Sequence, residues 1–347
     1  MVARAVHRRN VLRAGLAGCL AALMGGHADE AQAKPRDVAR DGASSAEPRL
    51  RGAERSTLGT TLDLAPKSAP YPAPGRTWSD PTVLVFVPRG FRVPTSGAVD
   101  ALVFFHGHGS TAREAIRRHQ LREQLAESLQ NAILVVPQGP IHAADGDFGH
   151  LMERGGLARL LDEVRVVASS KSAARALPDG GLGKAKGTGR VVVAGHSGGY
   201  RAAAAAITVG GVEVRETWLF DALYGETETF AKWLVAAPRT RKLVSLAIAG
   251  EPLRHNHQLL DLLQAKGIAV SLDLPTARLS RAEMVHARAI LGQQIATHGT
   301  ATFEESSLRD CLLASCLKGR GSDAFFEDAD APRLIDRRGV PAPRTPS

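Results

Sequence analysis

The sequence predicts an α/β fold, a mostly parallel central sheet with helices on both faces. Three observations carry this. Short β-branched apolar runs alternate with longer helix-forming stretches between about residues 79 and 318. Those runs are apolar almost throughout, the pattern of strands buried on both faces. Finally, Gly195-His196-Ser197-Gly198-Gly199 joins the run Val191-Val192-Val193-Ala194 directly to a strong helix former, Tyr200-Arg201-Ala202-Ala203-Ala204-Ala205-Ala206. The chain of 347 residues suffices for one large α/β domain with tails, or for two small domains. No internal repeat is visible.

Residues 1–33 read as an export signal. His7-Arg8-Arg9-Asn10-Val11-Leu12-Arg13 resembles a twin-arginine signal, and the apolar stretch from Ala14 to Gly26 is too short to span a bilayer. Ala31-Gln32-Ala33 offers a cleavage site, which predicts a mature chain starting at Lys34 in the periplasm or outside the cell. Leu16-Ala17-Gly18-Cys19 also resembles a lipobox, and acylation of Cys19 is the one membrane anchor the sequence suggests. Residues 34–78 carry Pro35, Pro48, Pro66, Pro70, Pro72 and Pro74 without a sustained hydrophobic period, and read as a linker or extended arm. Residues 319–347 repeat that character as a polar, proline-containing tail.

Within residues 79–318, strands are predicted at Thr82–Val87, Ala101–Phe105, Ala132–Val136, Arg190–Ala194, Glu216–Phe220 and Leu243–Ala249, with one more late in the chain. Helices are predicted at Ala112–Ser128, Gly156–Ala168, Arg201–Val209, Thr227–Ala236 and Gln258–Ala265. The glycine- and lysine-rich stretch from Leu177 to Arg190 is not a phosphate-binding loop, because Ala185 follows Lys184 where serine or threonine is needed. It reads as a mobile basic surface loop.

The formal charge of +9 comes from basic residues scattered among acidic neighbours, and aromatics are only 5%. That pattern describes a solvated surface and gives no support to a nucleic-acid partner. Of three cysteines, Cys311 and Cys316 lie outside the signal. On an unbroken helix their Cα atoms would stand roughly 8 Å apart, so they pair only if the helix breaks between them.

The Gly195–Gly199 pentapeptide fits G-x-S-x-G in the strand–turn–helix context that makes Ser197 a nucleophile candidate. A serine hydroxyl needs a base to take its proton, and the base needs an acid to orient it. Two carboxylates end predicted strands beyond Ser197: Asp221 after Thr217-Trp218-Leu219-Phe220, and Glu251 after Leu246-Ala247-Ile248-Ala249-Gly250. Either would sit at the carboxyl edge of the sheet, where sites of open α/β folds form. Asp221 is preferred, with Glu251 the alternative. His298, in a glycine-containing loop after the last regular segment, is the preferred base. His286 falls in a helix opened by the capping box Ser280–Glu283, unless Ala287 to Ile295 is the final strand. His255 and His257 follow Glu251 too closely to serve it. After an early strand, His106-Gly107-His108-Gly109 forms a turn whose backbone N–H near Gly107 or His108, with that of Gly198, could hold an oxyanion. His106 and His108 point to opposite faces of a strand end and make a poor metal pair, and nothing in the motif calls for a cofactor.

The HGHG turn, the Val135–Pro140 strand end V-V-P-Q-G-P, the GHSGG elbow and the late Thr297-His298-Gly299 together resemble an α/β-hydrolase of the serine esterase or polyhydroxyalkanoate-depolymerase-like group. The likeness covers roughly residues 80–318. It implies an α/β-hydrolase fold and cleavage of a small or polymeric ester through an acyl-enzyme, without cofactor. No long apolar lid is evident, unlike many esterases. An amidase or peptidase would use the same triad, and an inactive hydrolase fold could serve as an envelope-binding protein.

Overall fold

The computed structural model describes residues 49–141, 146–177 and 181–320. Ten strands form one sheet among the described residues. They are β1 (Arg49–Arg55), β2 (Gly59–Ala65), β3 (Val83–Pro88), β4 (Ala98–Phe105), β5 (Ala132–Pro137), β6 (Gly187–His196), β7 (Val214–Phe220), β8 (Lys242–Ala247), β9 (Val270–Asp273) and β10 (Ala289–Gln293). Their order across the sheet is β1-β2-β3-β5-β4-β6-β7-β8-β10-β9. From β5 to β9 every neighbouring pair is parallel, while β1, β2 and β3 continue antiparallel beyond β5.

Period-two alternation builds two cores from one set of strands. Val83, Val85 and Val87 face one core and Leu84 and Phe86 the other; Val191 and Val193 likewise oppose Val192 and Ala194. The first core is closed by the helices Gly156–Ala168, Tyr200–Thr208, Thr227–Ala236 and Gly250–Ala265, through side chains such as Leu160, Ala203, Phe230 and Leu259. The second is closed by Ala112–Arg118, Leu121–Glu127, Arg281–His286 and Ser307–Leu313, through Ile116, Leu125, Met284 and Leu308. Covered on both faces, the central strands can be apolar at every position, which is why they read so plainly.

Four expectations need correction. Residues 49–65 are not linker: they form β1 and β2, and Leu62 and Leu64 of β2 are fully buried in the first core. The prolines that suggested a linker fall before Arg49 or after Ala65 in the sequence, outside both strands. The basic loop is shorter than expected, since Leu182 is fully buried and β6 starts at Gly187. The helix predicted over Ala112–Ser128 is two helices, broken where Gln120 adopts a left-handed conformation (φ 49°). The helix predicted from Gln258 starts eight residues earlier, with Gly250 as its first residue and Pro252 in its first turn, where a missing N–H costs nothing. Strand β9 and the short helix Lys171–Ala176 were not foreseen. The Ser280–Glu283 capping box forms, and the stretch after it supplies both the helix Arg281–His286 and strand β10. The helix Ser307–Leu313 ends between Cys311 and Cys316, and no disulfide joins the two. The export signal, the Cys19 lipobox and the tail after residue 320 lie outside the described residues.

Candidate active site

Strand β6 delivers Ser197 to the carboxyl edge of the sheet. The residue takes a left-handed backbone conformation (φ 51°), the strain of a sharp strand-to-helix turn, costing on the order of 1–3 kcal/mol. Tight packing enforces that turn. A Cβ on Gly199 would overlap the Phe105 carbonyl, and one on Gly107 would stand 2.6 Å from Ser197 Cβ and 3.2 Å from its Oγ. Only glycine at 107 lets the turn after β4 close against Ser197. The His108 backbone nitrogen lies 3.5 Å from where a Gly198 Cβ would be, so the two backbone amides proposed for the oxyanion flank the same small volume.

Strand β7 delivers Asp221 one strand away. It too is left-handed (φ 46°), and its carboxylate is almost fully buried. Asp221 Oδ1 accepts the Ile248 N–H at 3.0 Å, while Oδ2 meets His298 Nδ1 at 2.6 Å. One oxygen is therefore fixed by backbone and the other holds the imidazole, an arrangement that puts a proton on Nδ1 and leaves Nε2 clear of the Asp221 carboxylate. The His298 side chain is 47% exposed. Tyr224 stands edge-on to that ring at 6.4 Å. Burial and the Asp221 carboxylate raise its phenol above the ordinary value, so it stays protonated.

Glu251, the alternative acid, makes no bond to His298, whose carboxylate partner is Asp221. It lies in the first turn of the helix Gly250–Ala265, where a carboxylate favours the helix N-terminus. It is half exposed and pairs with Arg254 and His255. His286 closes the helix Arg281–His286, away from this cluster of contacts.

His106 is a strut. Its Nδ1 donates to the Gly107 carbonyl at 3.0 Å and its Nε2 accepts the Gly139 N–H at 2.8 Å, so both ring nitrogens are spent on backbone. Burial pushes it down to about 4, which keeps it neutral. Gln138 completes the link by accepting the Ala112 N–H at 3.0 Å. The V-P-Q-G strand end and the HGHG turn are thus one hydrogen-bonded unit that fixes the backbone beside Ser197. Among the described residues, no group of three or more His, Cys, Asp or Glu side chains could hold a metal ion, and no helix is long and apolar enough to cross a membrane.

The fold is the α/β-hydrolase fold. Its marks are the sheet order, the glycine-packed elbow after β6, and an acid and a histidine following it in chain order. No family model matches the chain, and no curated protein matches it in sequence. Among solved structures it is similar to an S-formylglutathione hydrolase from Agrobacterium tumefaciens, with a TM-score of 0.45 and 10% identity over 76% of this chain and 96% of that one. It is also similar to FphF, a fluorophosphonate-binding serine hydrolase of Staphylococcus aureus, with a TM-score of 0.42 and 12% identity over 74% and 97%. A third is a ferulic acid esterase, with a TM-score of 0.40 and 13% identity over 68% and 90%.

Sequence reasoning missed His196 and His119. His196 donates from Nε2 to the His298 carbonyl at 2.6 Å, and the His119 ring lies 4.5 Å from the His196 ring, tilted by 51°. The one available signal was a histidine in the variable position before Ser197; its partner lies 102 residues on.

Proposed function

We propose that this protein is a serine hydrolase that cleaves a carboxylic ester through an acyl-enzyme. The observation that carries the reading is the 2.6 Å bond between Asp221 and His298 beside a strained serine at the same sheet edge. In the proposed cycle, His298 Nε2 takes the Ser197 proton as Oγ attacks the ester carbonyl. Asp221 holds the Nδ1–H tautomer and stabilises the imidazolium. The N–H groups of His108 and Gly198 receive the oxyanion, and Gly107 is the residue whose missing Cβ lets them approach. The imidazolium then protonates the leaving alcohol. In the second half, His298 activates water, which attacks the acyl carbonyl and frees the acid and Ser197.

Export is proposed on the twin-arginine-like sequence and the Ala31-Gln32-Ala33 site alone. The catalytic proposal is tested with a chromogenic ester series of increasing acyl length. The expected result is a burst of one alcohol equivalent per enzyme followed by steady turnover, both lost in Ser197→Ala. Turnover that survives Ser197→Ala would reject the mechanism. A folded protein that cleaves matched anilides better than esters would make it an amidase.

A further inference from the structure

Two buried histidines lie beneath the loop that carries His298. His196, the residue before the nucleophile, points its Nε2 at the His298 backbone carbonyl, 2.6 Å away. A carbonyl oxygen only accepts, so that nitrogen carries the proton. The rings of His196 and His298 stand 4.7 Å apart. Beneath His196 lies the His119 ring, and His119 Nδ1 is 2.9 Å from the hydroxyl of Thr302, a fully buried residue of the same loop. The break between the helices Ala112–Arg118 and Leu121–Glu127 is what turns His119 into this position, and Gln124 holds its carbonyl at 2.8 Å.

The need for such anchors follows from the exposure of His298. With its side chain 47% exposed, the ring is packed on one side only, against His196 and Tyr224. Its place is set by two points, Nδ1 on Asp221 and the backbone at residue 298. If the second point is loose, Nε2 can swing away from Ser197 while the Asp221 contact bends to follow. His196 is also the covalent neighbour of Ser197, so its bond to residue 298 makes nucleophile and base move together.

We infer that His196, backed by His119 through Thr302, is a positioning residue that fixes His298 relative to Ser197. The inference rests on the reading of His298 as the base. Burial keeps both lower histidines neutral, with His196 down to about 4 and His119 lower still. Neither histidine therefore adds a positive charge of its own beneath His298 when it becomes an imidazolium.

The test compares His196→Leu, which keeps bulk and loses the donor, with His196→Gln, whose amide nitrogen can reach the same carbonyl. Two readouts are taken, ester turnover and amide hydrogen exchange of residues 297–302. In His196→Leu, kcat is expected to fall about 100-fold with KM little changed, the scale of an ångström misplacement. Exchange in the loop should quicken about tenfold while the rest of the chain is unaffected. His196→Gln should recover most of both. Should the leucine variant not fold, His196→Asn, whose amide is too short to reach, carries the same comparison. Unchanged loop exchange overturns the inference, as does a loosened loop with full kcat or a kcat loss that glutamine does not restore. If the wild type has no hydrolase activity at all, the esterase reading falls. Exchange in residues 297–302 then still decides whether His196 holds the loop.

Discussion

The two ends of the sheet handle buried polar groups in opposite ways. At the amino end, Lys242 donates to the Met284 carbonyl at 3.0 Å and the Ala314 carbonyl at 2.6 Å. Glu216, its register partner on β7, accepts the Cys316 N–H at 2.5 Å and the Trp218 indole N–H at 3.1 Å. Arg190 donates to the Cys316 carbonyl at 2.7 Å, and Asp100 accepts the Arg190 N–H at 2.7 Å. This network stitches the 314–317 segment to the sheet; Lys242, Glu216 and Asp100 are buried, Arg190 and Cys316 are half-buried, and none of these residues is left-handed. At the carboxyl end, Ser197 and Asp221 are both left-handed and His298 is open. Buried charge alone therefore does not mark a site in this chain. Strained backbone together with one exposed, oriented group does.

The contrast can be broken at either end. The largest effect is expected from Ser197→Ala or His298→Ala, each costing several orders of magnitude in kcat, and Ser197→Ala should leave the unfolding free energy little changed. The double variant should cost scarcely more than either alone, because the residues act as one unit. Additive losses in steady-state kinetics would separate them. Gly107→Ala should lower kcat by about 100-fold, since the new methyl meets Ser197 Cβ and displaces the oxyanion turn. An alanine variant with wild-type kcat would remove the HGHG turn from the mechanism.

Lys242→Met should do the reverse. It removes the donor from two buried carbonyls and the cation facing Glu216, whose carboxyl is already raised by burial. A loss of about 3 kcal/mol in denaturant unfolding is expected, with kcat unchanged. A fall in kcat at constant stability would mean that the two ends are coupled.

Acid sharpens the comparison from the other side. His106 and His196 titrate near 6.5 when unfolded and are held down to about 4, chiefly by burial. Between those values the unfolded chain binds protons that the folded chain refuses. The stabilisation is complete above about pH 6.5 and is lost as pH falls to about 4, on the order of 3 kcal/mol for each. Unfolding measured across that range in His196→Gln should show a shallower acid slope. The smallest effect is expected from Glu251→Gln, an exposed pair worth under about 1 kcal/mol, with turnover unaffected.

How much of this was legible in the sequence follows the same divide. The helices Gly156–Ala168 and Thr227–Ala236 were readable to the residue, because their apolar period faces a single core. The elbow was readable because glycines, a β-branched strand and an alanine-rich helix all agree locally. Strand β1 was hidden because it is an exposed edge whose residues, Arg49 to Arg55, are mostly polar. The break at Gln120 carries neither glycine nor proline, and tertiary contacts impose it. Glu251 and Asp221 looked alike as strand-end acids until a helix was found to begin at Gly250. The anchoring of His298 by His196 and His119 is non-local and left no periodic or spacing signal.

The most direct test is fluorophosphonate labelling of the wild type beside Ser197→Ala, with the modified peptide located by mass spectrometry. One adduct is expected, on Ser197, absent from the variant. A folded wild type that takes no label, or takes it on another residue, would contradict the role of Ser197 as nucleophile.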